Sequence, residues 1–507
     1  MATAGNRGYQ GGRAILIPPL IDTQTTGLGR TTMMGLPFFI FWGGNQPLKK
    51  RTCSLLLTLF LGCILAPGVV RAQVPISLYA IVGAKIEIGD GRVIDKGTIV
   101  IRDGRIEAVG KDITPPPTAE IVKGDGLVVY PGFIDAWSSA GLKYPDAQPT
   151  QDEPIDPNTT PQIAMRLANR KGVRPELRAS DTLSLSSSQA NDLRKQGFTT
   201  QWIVPSGGMI NGYGTVVNLS GHVKRDIVVL PVAGAGLGFQ SGGGGGFPGS
   251  LMGIFSLLRQ TLLDGQRYPA LIAAYDKGLS RRPPADDTLN ALQLLLKGSV
   301  PALFEADTER EIVRVAAFSE EFRLRPIVVG GLDAYQQAKL LASKKIPVLL
   351  SLNFGKEAST TPAPDDDTPK AVIADRKRIW EERVGNTLAL SKEGVLFAFT
   401  TRGLKSPADF WENLRRVIKA GLPRETALRA LSLNAAQILG QERRMGTIEE
   451  GKSALLTIMS GDFADAKSKT VMLFIDGEKF ETDKEKPVVT PTAPRRRPRT
   501  DDDEETK

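Results

Sequence analysis

Residues 126–141 read GLVVYPGFIDAWSSAG, and the order of apolar residues in this stretch decides how the rest of the chain is organised. Leu127 to Tyr130 form a short apolar run of the kind that makes a buried strand, and Pro131-Gly132 breaks it. Phe133 to Trp137 then restart as a second apolar strand. Two buried strands joined by a Pro-Gly break mark a boundary between two structural units. The residues on either side should differ in texture.

They do. Upstream, LYAIVGAKIEIGDGRVIDKGTIVIRDGRIEAVG sets Asp90-Gly91 and Asp103-Gly104 between alternating apolar residues. An Asp-Gly pair so flanked signals a hairpin, because both turn residues must take positive φ. The same texture returns near the other end, in MGTIEEGKSALLTIM and in TVMLFIDGEKF with Asp476-Gly477. A small antiparallel sheet needs a partner for its apolar face. The economical reading is one β-sandwich domain built from both chain ends, residues 76–133 and 440–482, with a larger domain at 134–439 inserted between them.

Within the insert, strand and helix patterns alternate. Strands are expected at 198–204, 227–233 and 299–306, and in RPIVVGG, IPVLLSLN and GVLFAFT. Helices are expected over 250–263, from Asp307 or Thr308 with a Glu311 capping box, from Asp333, over 375–391, and as a pair running through Leu439. Such alternation over about 300 residues favours an α/β fold with a parallel (β/α)8 TIM-like barrel over a doubly wound open sheet.

Composition narrows the function. The chain has 507 residues, 41% hydrophobic and 23% charged, which is ordinary for a globular protein. Its net charge is +9, but residues 1–72 hold seven Lys or Arg and one acidic residue, so the remainder is nearly balanced and no nucleic-acid surface is expected. Both cysteines, Cys53 and Cys63, lie near the N-terminus, and His222 is the single histidine. Residues 49–72, KKRTCSLLLTLFLGCILAPGVVRA, have the layout of an export signal, so a periplasmic or secreted protein is expected with no membrane attachment after cleavage. An anchor competes, since the apolar run of 18 residues is close to the about 20 that span a bilayer. Residues 1–48 carry no usable pattern. Gly242 to Gly246, 355–370 and the tail 484–507 are expected to be poorly ordered.

Other chemistries find little support. A serine hydrolase would require His222, in what reads as a surface turn. GAGLGF at 234–239 lacks a following Gly-Lys-Ser/Thr and is read as a flexible loop. Asp146 to Asp156 is acidic but lacks the spacing of a calcium loop.

Taken together, the PGFID run at 131–135, the GFTTQWIVPSGGMINGYGTVVNLSG block from Gly197, FPGSLMGIFSLLRQTL from Phe247, and ETALRALSLNAAQILGQERRMGTIEEGKSALLTIM from Glu425 resemble the amidohydrolase superfamily over most of residues 76–482. That resemblance implies a barrel set in a composite β-domain. It also implies hydrolysis of carbon-nitrogen bonds other than peptide bonds, in cyclic amides or N-acyl compounds, with zinc or another divalent metal.

The implied ligand positions disagree. Where the family has His-x-His after PGFID, this chain has Trp137 and Ser139. Glu305 stands where a fifth-strand histidine is usual, Gly330 or Gly331 where a later histidine is common, and Arg402 where the eighth strand ends in an aspartate. The stakes are large. A metal takes its bound water from a pKa of about 15.7 to roughly 7, which at about 1.36 kcal/mol per unit is about 12 kcal/mol of nucleophile activation.

The expectation is therefore no metal cofactor and a reduced site around Glu305, Asp307, Asp135 and Arg402, with Arg402 in the vacated metal place paired to Glu305. A carboxylate metal site on Asp135, Glu305 and Asp307 is the alternative. The partners to expect are a small-molecule substrate or ligand, and a second copy or an active homologue of the same family.

Overall fold

The computed structural model describes residues 77–144, 172–221, 224–240, 248–355, 357 and 368–482, all within the unit Gln73–Lys507. Residues 1–48, the expected export signal at 49–72, Asp146 to Asp156, His222, the glycine run and the tail at 484–507 fall outside the described residues, as does most of 355–370.

The two chain ends meet in one eight-stranded sheet. Strands β1 (Leu78–Glu87), β2 (Val93–Arg102), β3 (Arg105–Gly110), β4 (Glu120–Lys123) and β5 (Val128–Pro131) come from the N-terminal side. β16 (Leu456–Met459), β17 (Thr470–Ile475) and β18 (Glu478–Glu481) come from the C-terminal side. The order is β18-β17-β16-β5-β1-β2-β3, with β4 beside β1. β5 is the seam, parallel to β1 and antiparallel to β16. Its Val129 shares a core with Ile81, Ile86, Ile99 and Ile101 from one end and Ile448, Leu456 and Phe474 from the other.

Two of the expected Asp-Gly turns are tight two-residue loops. Asp103 and Gly104 have φ of 49° and 75°, and Asp476 and Gly477 have 50° and 84°, as a type I′ turn requires. Asp90-Gly91 differs. It sits in a five-residue loop closed by Ile88 N–H donating to the Arg92 carbonyl at 3.0 Å, with the positive φ on Gly89 and Gly91.

The Pro-Gly break is where the chain leaves this sheet. Gly132 donates to the Leu455 carbonyl at 2.8 Å, and a Cβ on it would lie 2.2 Å from Thr199 Oγ1. Only glycine lets the backbone pass that close. β6 (Phe133–Ser138) then opens the barrel and runs parallel to β7 (Phe198–Ile203).

The second parallel group is β11 (Ala235–Gly238), β12 (Ala302–Ala306), β13 (Pro326–Gly330), β14 (Val348–Ser351) and β15 (Phe397–Thr400). Two seams join the groups into a TIM-like barrel. At one, Thr400 Oγ1 donates to the Trp137 carbonyl at 2.9 Å; at the other, Trp202 Nε1 donates to the Ala233 carbonyl at 2.6 Å. Between β7 and β11 the chain makes an antiparallel excursion through β8 (Ile210–Tyr213), β9 (Thr215–Asn218) and β10 (Val228–Leu230).

Some expectations need correction here. The strand expected at 227–233 is present but shorter, as β10, which follows a helical turn at Lys224–Ile227 and pairs antiparallel with β9 rather than joining the barrel. The barrel strand in this region is instead β11, within the GAGLGF segment expected to be a loop. Its glycines serve close approach rather than flexibility: a Cβ on Gly236 would meet the Pro205 carbonyl at 2.6 Å, and one on Gly238 the Gly208 carbonyl at 2.8 Å. The helix expected over 250–263 continues to Asp276, and three helices, Asp409–Lys419, Arg424–Leu431 and Leu433–Leu439, stand where a pair was expected. Ser432, with φ −133° and ψ −84°, separates the last two. Among the described residues no helix is long and apolar enough to cross a membrane.

Candidate functional site

Catalytic residues of a barrel of this kind sit where the strands end, and there the charged side chains converge. β12 supplies Glu305 near its end, and Asp307 follows it. Glu311 fixes that turn, because its Oε2 accepts from the backbone N–H groups of Asp307 and Thr308, both at 3.0 Å. The same residues form the capping box that starts the helix Glu309–Phe322, so one local motif both nucleates the helix and aims Asp307.

Arg402 arrives from the far side of the barrel, two residues past β15. Its backbone is held at both ends, with its N–H on Thr400 Oγ1 at 2.7 Å and its carbonyl accepting from Ser351 Oγ at 2.7 Å. From this fixed base the guanidinium reaches Asp307 Oδ2 at 2.9 Å through Nη1 and Glu305 Oε2 at 3.3 Å through Nη2. The expected Arg402–Glu305 contact is therefore present, and Asp307 makes the shorter one.

The three side chains retain 19%, 16% and 32% exposure for Arg402, Glu305 and Asp307, so the cluster is largely withdrawn from water. Burial pushes the Glu305 carboxyl above its usual range, although Arg402 opposes this. Burial also works against the charge on Arg402, but Asp307 and Glu305 outweigh it and hold the guanidinium above its ordinary value.

Trp137 projects into the same place. It is 4% exposed, and the Arg402 guanidinium lies 5.7 Å from its ring centroid, a cation–π contact. Ser139, the other position where the resemblance implies a histidine, is exposed just past the end of β6. Gly330 closes the group: at φ +100°, a Cβ there would lie 2.2 Å from Asp307 Oδ1 and 2.7 Å from Arg402 Nη1. The volume a histidine would fill at that position is taken by the ion cluster.

Asp135 is not part of this cluster. Fully buried, it accepts from Gln201 Nε2 at 2.9 Å, Thr401 N–H at 2.9 Å and Thr401 Oγ1 at 2.7 Å. Those bonds tie β6 to β7 and to the end of β15. Burial raises its pKa against these donors. Sequence reasoning missed two residues at the mouth. Burial and the Glu305 charge raise the Tyr144 hydroxyl, opposed by a hydrogen bond with Ser206 and by Arg174, whose guanidinium lies 5.5 Å from the Tyr144 ring centroid. No local motif marks either one.

The donor set does not fit the metal of the family. Among the described residues no three His, Cys, Asp or Glu side chains are grouped to hold an ion. The carboxylates that stand closest, Glu305 and Asp307, are engaged by a guanidinium, and Asp135 spends its oxygens on Gln201 and Thr401. A cation placed among Glu305 and Asp307 would have to displace Arg402.

Comparisons with known proteins agree with the architecture. Residues 372–487 match the family model described as the amidohydrolase family. The fold is similar to the crystal structure of an amidohydrolase from Thermotoga maritima, 25% identical, covering 80% of this chain and all of that one, with a TM-score of 0.64. Weaker likenesses include a putative prolidase from Bifidobacterium longum, 17% identical over 80% of this chain and 95% of that one at a TM-score of 0.48. Another is a β-aspartyl dipeptidase from Fervidobacterium islandicum, 14% identical over 81% and 97% at 0.42. No curated protein matches the chain. In its C-terminal segment and in its fold, with a composite sheet and a barrel, the chain is similar to amidohydrolases.

Proposed function

We propose that this chain is an exported, periplasmic or secreted amidohydrolase homologue whose hydrolysis of carbon-nitrogen bonds is reduced or lost, and whose barrel mouth binds a small molecule. It would act either alone, as a homo-oligomer, or as the partner of an active homologue. The observation that carries this reading is the seating of Arg402 between Asp307 and Glu305. A fixed positive charge there supplies no metal-bound water. It does supply a polar, partly dehydrated anchor beside the aromatic face of Trp137. Fold membership by itself does not decide between catalysis and binding.

One observation favours a second reading, metal-independent hydrolysis. Burial raises the Glu305 carboxyl, which suits a general acid. In that reaction water adds to the carbonyl carbon, the C–N bond breaks as Glu305 gives its proton to the leaving nitrogen, and the proton shed by the water returns to the carboxylate.

Elemental analysis of the purified protein, with turnover on a panel of N-acyl and cyclic amides, separates the readings. Binding of panel compounds without turnover is expected. Turnover abolished by Glu305→Gln would establish the second reading, and a stoichiometric divalent metal with turnover would overturn both.

A further inference from the structure

A second polar cavity lies away from the Arg402 cluster, with a volume of about 360 Å³. It opens between the helix Asp409–Lys419 and the sheet formed by both chain ends. Lys195 and Gln196 line it just before β7 begins, so it stands at the leading end of that strand, whereas Arg402 stands at the trailing end of β15.

Its lining holds three cationic side chains, Lys195, Arg415 and Lys469, each from a different segment, and no Asp or Glu. Arg415 is the unusual one. Its Nε is buried without a hydrogen-bond partner, and among the described residues its guanidinium forms no ion pair. It lies 5.9 Å from the Trp411 ring centroid. Burial disfavours its charge, and only Asp465, outside the lining, opposes this. A half-buried guanidinium with no acceptor loses hydration and regains little from an aromatic face.

Ser468 adds an independent sign. It is 9% exposed, and its Oγ is buried with no partner although it lines the same cavity. Buried polar groups are paired in folded proteins with few exceptions. Here two buried atoms without a hydrogen-bond partner, Arg415 Nε and Ser468 Oγ, belong to side chains that line one cavity together with two lysines.

We propose that this cavity binds a phosphate group borne by a small molecule. Donors reach the space from separate segments, which suits an acceptor with oxygens on every side better than a planar carboxylate with two. The guanidinium would take phosphate oxygens, Ser468 Oγ a further one after turning about χ1 toward the cavity, and the lysines would offset the remaining charge. The cavity has room for the rest of a small phosphomonoester. The site is independent of what happens at the barrel mouth.

Calorimetric titration of the full chain tests this, with inorganic phosphate, glycerol 3-phosphate and acetate as separate ligands at matched ionic strength. Saturable one-to-one binding of phosphate or the phosphomonoester is expected. Arg415→Met should weaken it at least tenfold and Ser468→Ala several-fold, while Arg402→Met leaves it unchanged. A tighter phosphomonoester identifies an organic ligand; equal affinities identify free phosphate. The assignment fails if neither phosphate ligand saturates, if acetate binds as tightly, or if folded Arg415→Met and Ser468→Ala both bind like the parent protein.

Discussion

Asp135 shows how one carboxylate can look catalytic in the sequence and act structurally in the fold. Its three donors come from two residues, Gln201 on β7 and Thr401 just past β15, while the Oε1 of Gln201, buried beside it, has no partner. Asp135→Ala should leave those donors facing a void and cost about 2–4 kcal/mol in urea unfolding. Asp135→Asn should cost well under half of that, because the Gln201 amide can turn over and let its orphan oxygen accept from the new amide. A role in metal binding would not separate the two variants in this way. Glu305 yields to a similar test. Its folded pKa lies above the ordinary 4.5 because of burial, so the folded protein holds the proton longer than the unfolded chain does. Stability from this group is therefore greatest below about pH 4.5 and falls as pH rises through the raised value. Glu305→Gln should remove that decline, its melting temperature gaining on the parent protein between pH 4 and 7. A gap between the two proteins that stays constant with pH would show that the carboxyl titrates normally.

At the scale of elements, several strong local signals match the fold. Thr308 and Glu311 sit at capping-box spacing and start a helix there, and the Asp-Gly pairs at 103–104 and 476–477 are hairpin turns. The misreadings came from residues whose meaning is tertiary. GAGLGF looks flexible in one dimension, yet its glycines are required because other backbones press against β11. Arg402 and Glu305 could be brought together by following the order of strands, whereas the closer Asp307 contact depends on how the turn after β12 is aimed. The two tight turns carry a further dependence on packing. A Cβ on Gly104 would lie 2.7 Å from the Asp476 carbonyl oxygen, and one on Gly477 would lie 2.6 Å from Gly104 Cα. The turns stack on each other and so join strands from opposite ends of the chain. Gly104→Ala therefore meets both a positive φ and a backbone obstacle, and should destabilise by about 2–3 kcal/mol. Gly91→Ala meets only the positive φ, since nothing lies within 4 Å of its Cβ, and should cost about 1 kcal/mol. Chemical denaturation of the pair reads the difference directly, and equal losses would mean the turns do not bear on each other.

Across the whole molecule, one arginine ties the composite sheet to the barrel. Arg424 begins the helix Arg424–Leu431 and forks onto Glu87 at 2.8 and 2.7 Å, with its Nε on Asp462 at 2.6 Å and its guanidinium 4.8 Å from the Phe463 ring centroid. Glu87 ends β1 and is 3% exposed, so its charge is tolerable only because this fork and Lys85, at 3.4 Å, neutralise it. Arg424→Met keeps the bulk of the side chain but strands the carboxylate. Breaking a fully buried pair in this way costs about 3–5 kcal/mol. With Arg424 28% exposed and Lys85 still in reach, about 2–4 kcal/mol is the expected loss. Most of it arises from an unpaired charge rather than from a missing attraction, so adding Glu87→Gln to Arg424→Met should return more than half of what the single change removes. The loss should also appear as a broadened or divided unfolding transition, because the sheet then has a weaker hold on the last barrel helices and can open before them. A single transition of unchanged steepness, with no recovery in the double variant, would mean that the apolar seam around Tyr130, Phe133 and Phe463 joins the two parts without help from the ion pair.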